Sequence, residues 1–441
     1  MSTGELKRAA AEIVAVAERI RAIGHRTAAL LSDRELNGSV LRSPVTGVRA
    51  QGALLRAVTH RTGLGFAFGG VTGRLGGMAG QESLAARVAV TSLRLRIDAV
   101  ALEHPELLDD PSTRRLVNAV LADRDLEATR TLRAMFKRRG ASSALSSIAP
   151  IAMEVLAIRA LQDENPFNDG SGWSIATGKQ PEAEPLLGIS TRAVTHWDTG
   201  EGAAEPAELE PEIASSGGLI AFLSNIAVLR TNGRVLLQSV LGPDGVTRYV
   251  VHAPGMDLGS PVNDTPQDFV GAGRNAMLGD SPYVRALGKA IVAFGVPAGA
   301  ELALVGHSEG GAAVMNLAQD ARFCARYRVT HAVCVGSPID FKVCADPETW
   351  VASVTNQHDI VPALDGVGAG TCFDLHPDWY VVDYTEASHR FPQCHSIAVY
   401  LRDLRELLHE EREHIDSQIS RYHGPVTRSQ AYRLRDREVP R

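Results

Sequence analysis

At 441 residues the chain exceeds one small domain and suggests two units, or three. With 44% hydrophobic and 22% charged residues it has the balance of a globular protein, and a net charge of −6 argues against a nucleic-acid-binding surface as its main business. The five cysteines (Cys324, Cys334, Cys344, Cys372, Cys394) contain no C-x-x-C pair, which argues against a zinc site. They read as reduced core thiols of a cytosolic protein, with Cys372 and Cys394 as a candidate pair should the chain be exported.

The opening stretch, MSTGELKRAAAEIVAVAERI, carries charges through its apolar face and is not the pattern of a signal peptide. No apolar run reaches the roughly 20 residues that span a bilayer. Residues 5–31 repeat Ile13, Val14, Ala17, Ile20 and Ile23 at helical spacing. Helical patterning resumes near 50–60 and at 82–102, on either side of a glycine-rich run, 63–80. That run lacks Gly-Lys-Ser/Thr and a preceding strand, so it reads as a close helix contact or a connection rather than a phosphate loop. Residues 113–139 and 144–161 read as further helices. The first is rich in arginine (Arg124, Arg130, Arg133, Arg138, Arg139), offset by Asp123, Asp125 and Glu127, the pattern of a solvated face. Residues 1–165 therefore read as an all-helical region without a catalytic constellation. Residues 166–215 read as an acidic, Pro- and Gly-containing linker, with Trp173 and Trp197 as its docking points.

Regular patterning returns at 216. A helix over 218–229 precedes strands over 234–240 and 247–252, joined by the turn Gly242-Pro243-Asp244-Gly245. A loop, His252-Ala253-Pro254-Gly255-Met256-Asp257, follows directly. Next come a helix over 281–294, the apolar run Leu302-Ala303-Leu304-Val305, and a helix of small residues. Strands near 329–335, 350–354 and 379–383 and a helix over 396–411 complete the alternation. It predicts an α/β unit over 216–412, a mostly parallel sheet with an antiparallel leading hairpin and helices on both faces. Residues 413–441 read as a basic tail.

Between the Leu302–Val305 run and its helix stands Gly306-His307-Ser308-Glu309-Gly310, a G-x-S-x-G with a strand before it and a helix after it. In that context Ser308 is the candidate nucleophile, and the N–H of Glu309 faces a developing oxyanion. A serine hydroxyl needs a base, and the base an orienting acid. Asp359 follows the second strand past the turn and is the candidate acid, ahead of Asp340 and Asp365. His395, just before the closing helix and with Tyr400 one turn beyond to buttress it, is the candidate base, with His389 in reserve; His358, beside the acid, points elsewhere. The second oxyanion donor falls on the loop after His252. There the Met256 N–H is the first choice and the Gly255 N–H the second.

Residues 216–405 resemble the α/β-hydrolase superfamily, near the class 3 lipases and the esterases similar to GPI-inositol deacylase, and more closely actinobacterial serine hydrolases. The shared marks are Pro254-Gly255, the G-H-S-x-G-G of 306–311, Gly336-Ser337-Pro338, the D-x-V-P of 359–362, and His395-Ser396 with Tyr400. The resemblance implies an α/β-hydrolase fold and a triad of Ser308, Asp359 and His395. Such relatives tend to carry threonine and glutamine where this chain has Met256 and Glu309. Glu309 places a carboxylate beside the oxyanion, which would slow catalysis or select a basic substrate unless the side chain turns to solvent. The helical half resembles segments of type VII secretion substrates, which implies leaderless export as the alternative to a cytoplasmic location. The expectation is a serine hydrolase cleaving a carboxylic ester, small or lipid, with no metal or organic cofactor. The alternatives are a thioesterase or peptidase on the same fold, or a binding protein whose helical half carries the function.

Overall fold

The structure, a computed structural model, describes residues 1–436 except 32, 60–63, 65–82, 164, 166, 198–199, 232, 257–263 and 388. The glycine-rich run 63–80, apart from Leu64, and the end of the expected tail lie outside the described residues. The chain divides into two units: Met1–Ser190 with Gly366–Phe373, and Thr191–Asp365 with Asp374–Arg441. No described helix is long and apolar enough to cross a membrane.

The described elements of the first unit are helices joined by turns. The helix Thr3–Leu31 buries Leu6, Ala10, Val14 and Ala17, one stripe at helical spacing, and packs on the helix Leu84–Glu103. Small side chains let the two backbones approach closely, and the Ser92 hydroxyl donates across to the Ala10 carbonyl at 2.8 Å. The expected helix over 113–139 is two helices, Pro111–Leu121 and Asp125–Arg139. The break falls at Asp123, which takes a left-handed φ of 57°. The expected helix over 144–161 is likewise interrupted, because Pro150 lies inside it and the continuous helix starts only at Ala152–Gln162. A buried ion pair joins Arg96 to Glu154 at 2.6 Å. The same guanidinium donates to the carbonyls of Gly370 (2.9 Å) and Ile175 (3.1 Å), so each of its three nitrogens makes one bond in the buried site.

An eight-stranded sheet organises the second unit. Its strands are β1 (Ala203–Ala207), β2 (Arg234–Leu241), β3 (Thr247–Ala253), β4 (Glu301–His307), β5 (Arg328–Val335), β6 (Trp350–Asn356), β7 (Tyr380–Tyr384) and β8 (Val426–Arg435). They lie in the order β1-β8-β2-β3-β4-β5-β6-β7. β3 through β7 are parallel, while the pairs β2–β3, β2–β8 and β1–β8 are antiparallel. β4 and β5 are buried nearly throughout and read as continuous apolar runs, as strands covered on both faces do. One face packs on the helices Pro282–Phe294 and Glu309–Gln319; the other packs on Leu219–Leu229 and Ile397–Glu406.

The expected linker and tail are corrected by the structure. Trp173 is buried in a helix of the first unit, Asp169–Ala176, and the boundary falls at 190 rather than 165. The rest of the stretch expected as linker contributes the helix Thr191–Trp197 and the edge strand β1. The stretch expected as a tail holds the helix His409–Gln418 and β8, which enters the sheet between β1 and β2. Ala431, Tyr432 and Leu434 supply the buried side chains of β8, and its backbone bonds to β2 replace the solvent a free tail would have. None of the five cysteines is bridged, so Cys372 and Cys394 stand as thiols.

Candidate active site

In a parallel sheet flanked by helices, loops at the carboxyl ends of neighbouring strands converge. Ser308 follows β4, Met256 follows β3, Asp359 follows β6, and His395 lies after β7. Ser308 takes φ 58° and ψ −130°, strained values for a residue with a side chain, and its N–H donates to the Val335 carbonyl at 3.0 Å. Tight approach holds the turn in place. A Cβ on Gly306 would meet the Gly311 Cα at 2.5 Å, and one on Gly310 would meet the Ala253 carbonyl oxygen at 2.0 Å. Glycine is therefore the residue that both positions admit.

The structure brings Ser308, His395 and Asp359 into one series of hydrogen bonds. His395 Nε2 lies 2.8 Å from the Ser308 Oγ, and His395 Nδ1 lies 2.6 Å from Asp359 Oδ2. A carboxylate only accepts, so Nδ1 carries the proton and Nε2 is left to accept from the serine hydroxyl. The Asp359 side chain is fully buried and its oxygens are occupied. Oδ2 also accepts from the Tyr400 hydroxyl at 2.9 Å, and Oδ1 accepts from the Val361 N–H at 3.0 Å, a local turn that fixes the carboxylate plane.

Two supporting residues have roles the sequence does not assign. Tyr400, expected to buttress His395, reaches instead to Asp359, and its oxygen accepts from the Asn356 N–H at 3.1 Å. His307, the second letter of the G-x-S-x-G, lies beside His395, ring centroids 4.9 Å apart and nearly parallel. Its Nε2 donates to the His395 backbone carbonyl at 2.8 Å and so holds the loop that carries the base. Burial, and then the nearby His395, push His307 down to about 3, so it stays neutral at working pH. Its place in the motif is the signal that could have found it.

The remaining candidates go elsewhere. The His389 ring lies against His358 with centroids 3.8 Å apart, and the His389 backbone N–H donates to Glu386. Asp365 accepts from the Asp340 N–H at 2.8 Å. Met256, half-buried, is the last residue described in the loop that follows β3. Glu309 opens the helix Glu309–Gln319, where backbone N–H groups point out of the helix start. Its side chain does not turn to solvent: it is buried, and Oε1 accepts from Asn275 Nδ2 at 2.8 Å. Asn275 in turn accepts from the Ser281 hydroxyl at 2.6 Å and, through its carbonyl, from Lys342 Nζ at 2.8 Å. A buried polar network thus fixes the carboxylate.

Comparison with protein-family models, curated proteins and solved structures gives no match.

Proposed function

We propose that the chain is a serine hydrolase with a catalytic unit of the α/β-hydrolase type, cleaving a carboxylic ester through an acyl-enzyme. The observation that carries this reading is the unbroken series Ser308 Oγ, His395 Nε2, His395 Nδ1, Asp359 Oδ2, on a strained strand-to-helix turn. Ser308 attacks the ester carbonyl as His395 takes its proton. Asp359 holds the imidazole tautomer and stabilises the imidazolium. Amides of the loop after β3 and of the helix start receive the oxyanion. The His395 proton then passes to the alkoxide leaving group, and a water activated by the same ring attacks the acyl-enzyme and releases the acid. The substrate is a small or lipid ester, and every step uses side chains and amides of this chain.

A fluorophosphonate probe tests the reading. The wild type takes one label on Ser308, and Ser308→Ala takes none and loses roughly 10⁴-fold or more of its esterase activity. An unlabelled wild type, or equal labelling of Ser308→Ala, removes the proposal. Rates on 4-nitrophenyl esters of graded chain length, set against matched thioesters and peptide amides, assign the bond that is cleaved.

A further inference from the structure

Tyr283 is fully buried on the helix Pro282–Phe294, outside the hydrogen-bonded series of the site. Its hydroxyl lies 2.8 Å from the Pro254 carbonyl and 2.7 Å from Gln267 Nε2. The amide nitrogen of Gln267 also donates to the Arg234 carbonyl at 3.2 Å, which fixes it as the donor side. The tyrosine oxygen therefore accepts from Gln267 and spends its only proton on Pro254. Burial, and then the Glu309 carboxylate, raise the phenol well above its usual range, so that proton stays in place at any working pH.

The acceptor stands at a sensitive point. In a trans peptide the carbonyl and the next N–H point in opposite directions, so holding the Pro254 C=O fixes where the Gly255 N–H points. Gly255 lies directly on the nucleophile: a Cβ there would be 2.6 Å from the Ser308 Cβ and 3.0 Å from its Oγ. No described residue accepts a hydrogen bond from the N–H of Gly255 or Met256. Glycine turns readily about φ, so a Pro-Gly peptide plane rotates unless something holds it. The Pro254 oxygen is wedged against Gly310, where a Cβ would come within 2.5 Å of it, but of these two neighbours only the tyrosine hydroxyl bonds it.

We propose that Tyr283 is a positioning residue that sets the Pro254–Gly255 peptide, and with it the amides that receive the oxyanion; this rests on the serine-hydrolase reading. Tyr283→Phe keeps the ring and removes the bond. With 4-nitrophenyl butyrate its kcat is expected to fall about 10- to 100-fold, the scale of losing an oxyanion donor, while KM stays within about twofold. An aryl trifluoromethyl ketone, which forms a hemiketal oxyanion on the serine, is expected to lose affinity by the same factor as kcat/KM. Tyr327→Phe is the control: it removes a hydroxyl from the same apolar cluster, where that hydroxyl has no hydrogen-bond partner among the described residues, and all three quantities stay at wild-type values. Should Tyr283→Phe fail to fold, Gln267→Met carries the test, with kcat expected to fall several-fold at unchanged KM. Wild-type kcat and ketone affinity in the variant that folds, or a loss confined to KM, overturn the assignment and leave the hydrolase reading standing. A wild type that takes no fluorophosphonate overturns both.

Discussion

His307 stacks on the candidate base and stays uncharged, so the pair of rings carries at most one positive charge at working pH. Burial pushes other imidazoles down as well. His252 is also pushed down to about 3, and His331 to about 4. In the unfolded chain each titrates near the ordinary value of 6.5. Below that pH the unfolded chain binds protons that the folded one refuses, so the stability these residues give is present above about 6.5 and is lost as pH falls toward 4 and 3. Each contributes a slope of about 1.4 kcal/mol per pH unit. Asp169, which burial raises to about 7, pulls the other way over the same range, so the contribution of one imidazole is read as a difference between variants: urea midpoints are compared at pH 7 and pH 5. The His252 ring lies 3.1 Å from the Gln238 side chain, and His252→Gln should lose less of its midpoint between those two pH values than the wild type. An unchanged slope would mean that His252 is not held neutral.

At the scale of the element, the helix Glu309–Gln319 is built from small residues because the backbones of the loop after β3 and of the end of β4, together with the Ser337 side chain, approach its first turn. Gly310→Ala puts a Cβ 2.0 Å from the Ala253 oxygen, and neither strand nor helix has room to yield. The expected cost is about 3 kcal/mol or more, seen as a lower thermal midpoint together with loss of probe labelling. A variant that labels and melts like the wild type would contradict the close packing. The same scale shows what the sequence discloses. β2 through β7 are apolar or β-branched runs bounded by turn residues, and Asp359 and His395 could be picked out because each follows such a run. β1 and β8 gave no such signal. AAEPA carries Pro206, which suits only an edge, and β8 carries Arg428, Arg433 and Arg435 around three buried side chains. The partners of β8 stand nearly 200 residues away in the chain, so pairing rather than propensity makes it a strand. The inward turn of Glu309 and the reach of Tyr400 to Asp359 depend on packing directions that no local spacing encodes.

For the whole molecule, the segment 366–373 carries the largest consequence. It belongs to the helical unit although it lies between the turn Pro362–Asp365 and β7 of the sheet unit. Arg96 donates to the Gly370 carbonyl and pairs with the buried Glu154. A chain lacking residues 1–165 loses both side chains and is expected to be cut within 366–373 by limited proteolysis where the full chain resists. Peptide mapping of the two digests checks this, and equal resistance would show that the segment is held by other contacts.

The polypeptide therefore passes between the two units three times, at 190–191, 365–366 and 373–374. The halves are not beads on a string. Splitting the gene at residue 190 yields two fragments that must complement each other, since the second carries eight residues of the first fragment's fold. Any graft of the sheet unit onto another protein brings that borrowed piece with it, along with the need for its missing counterpart.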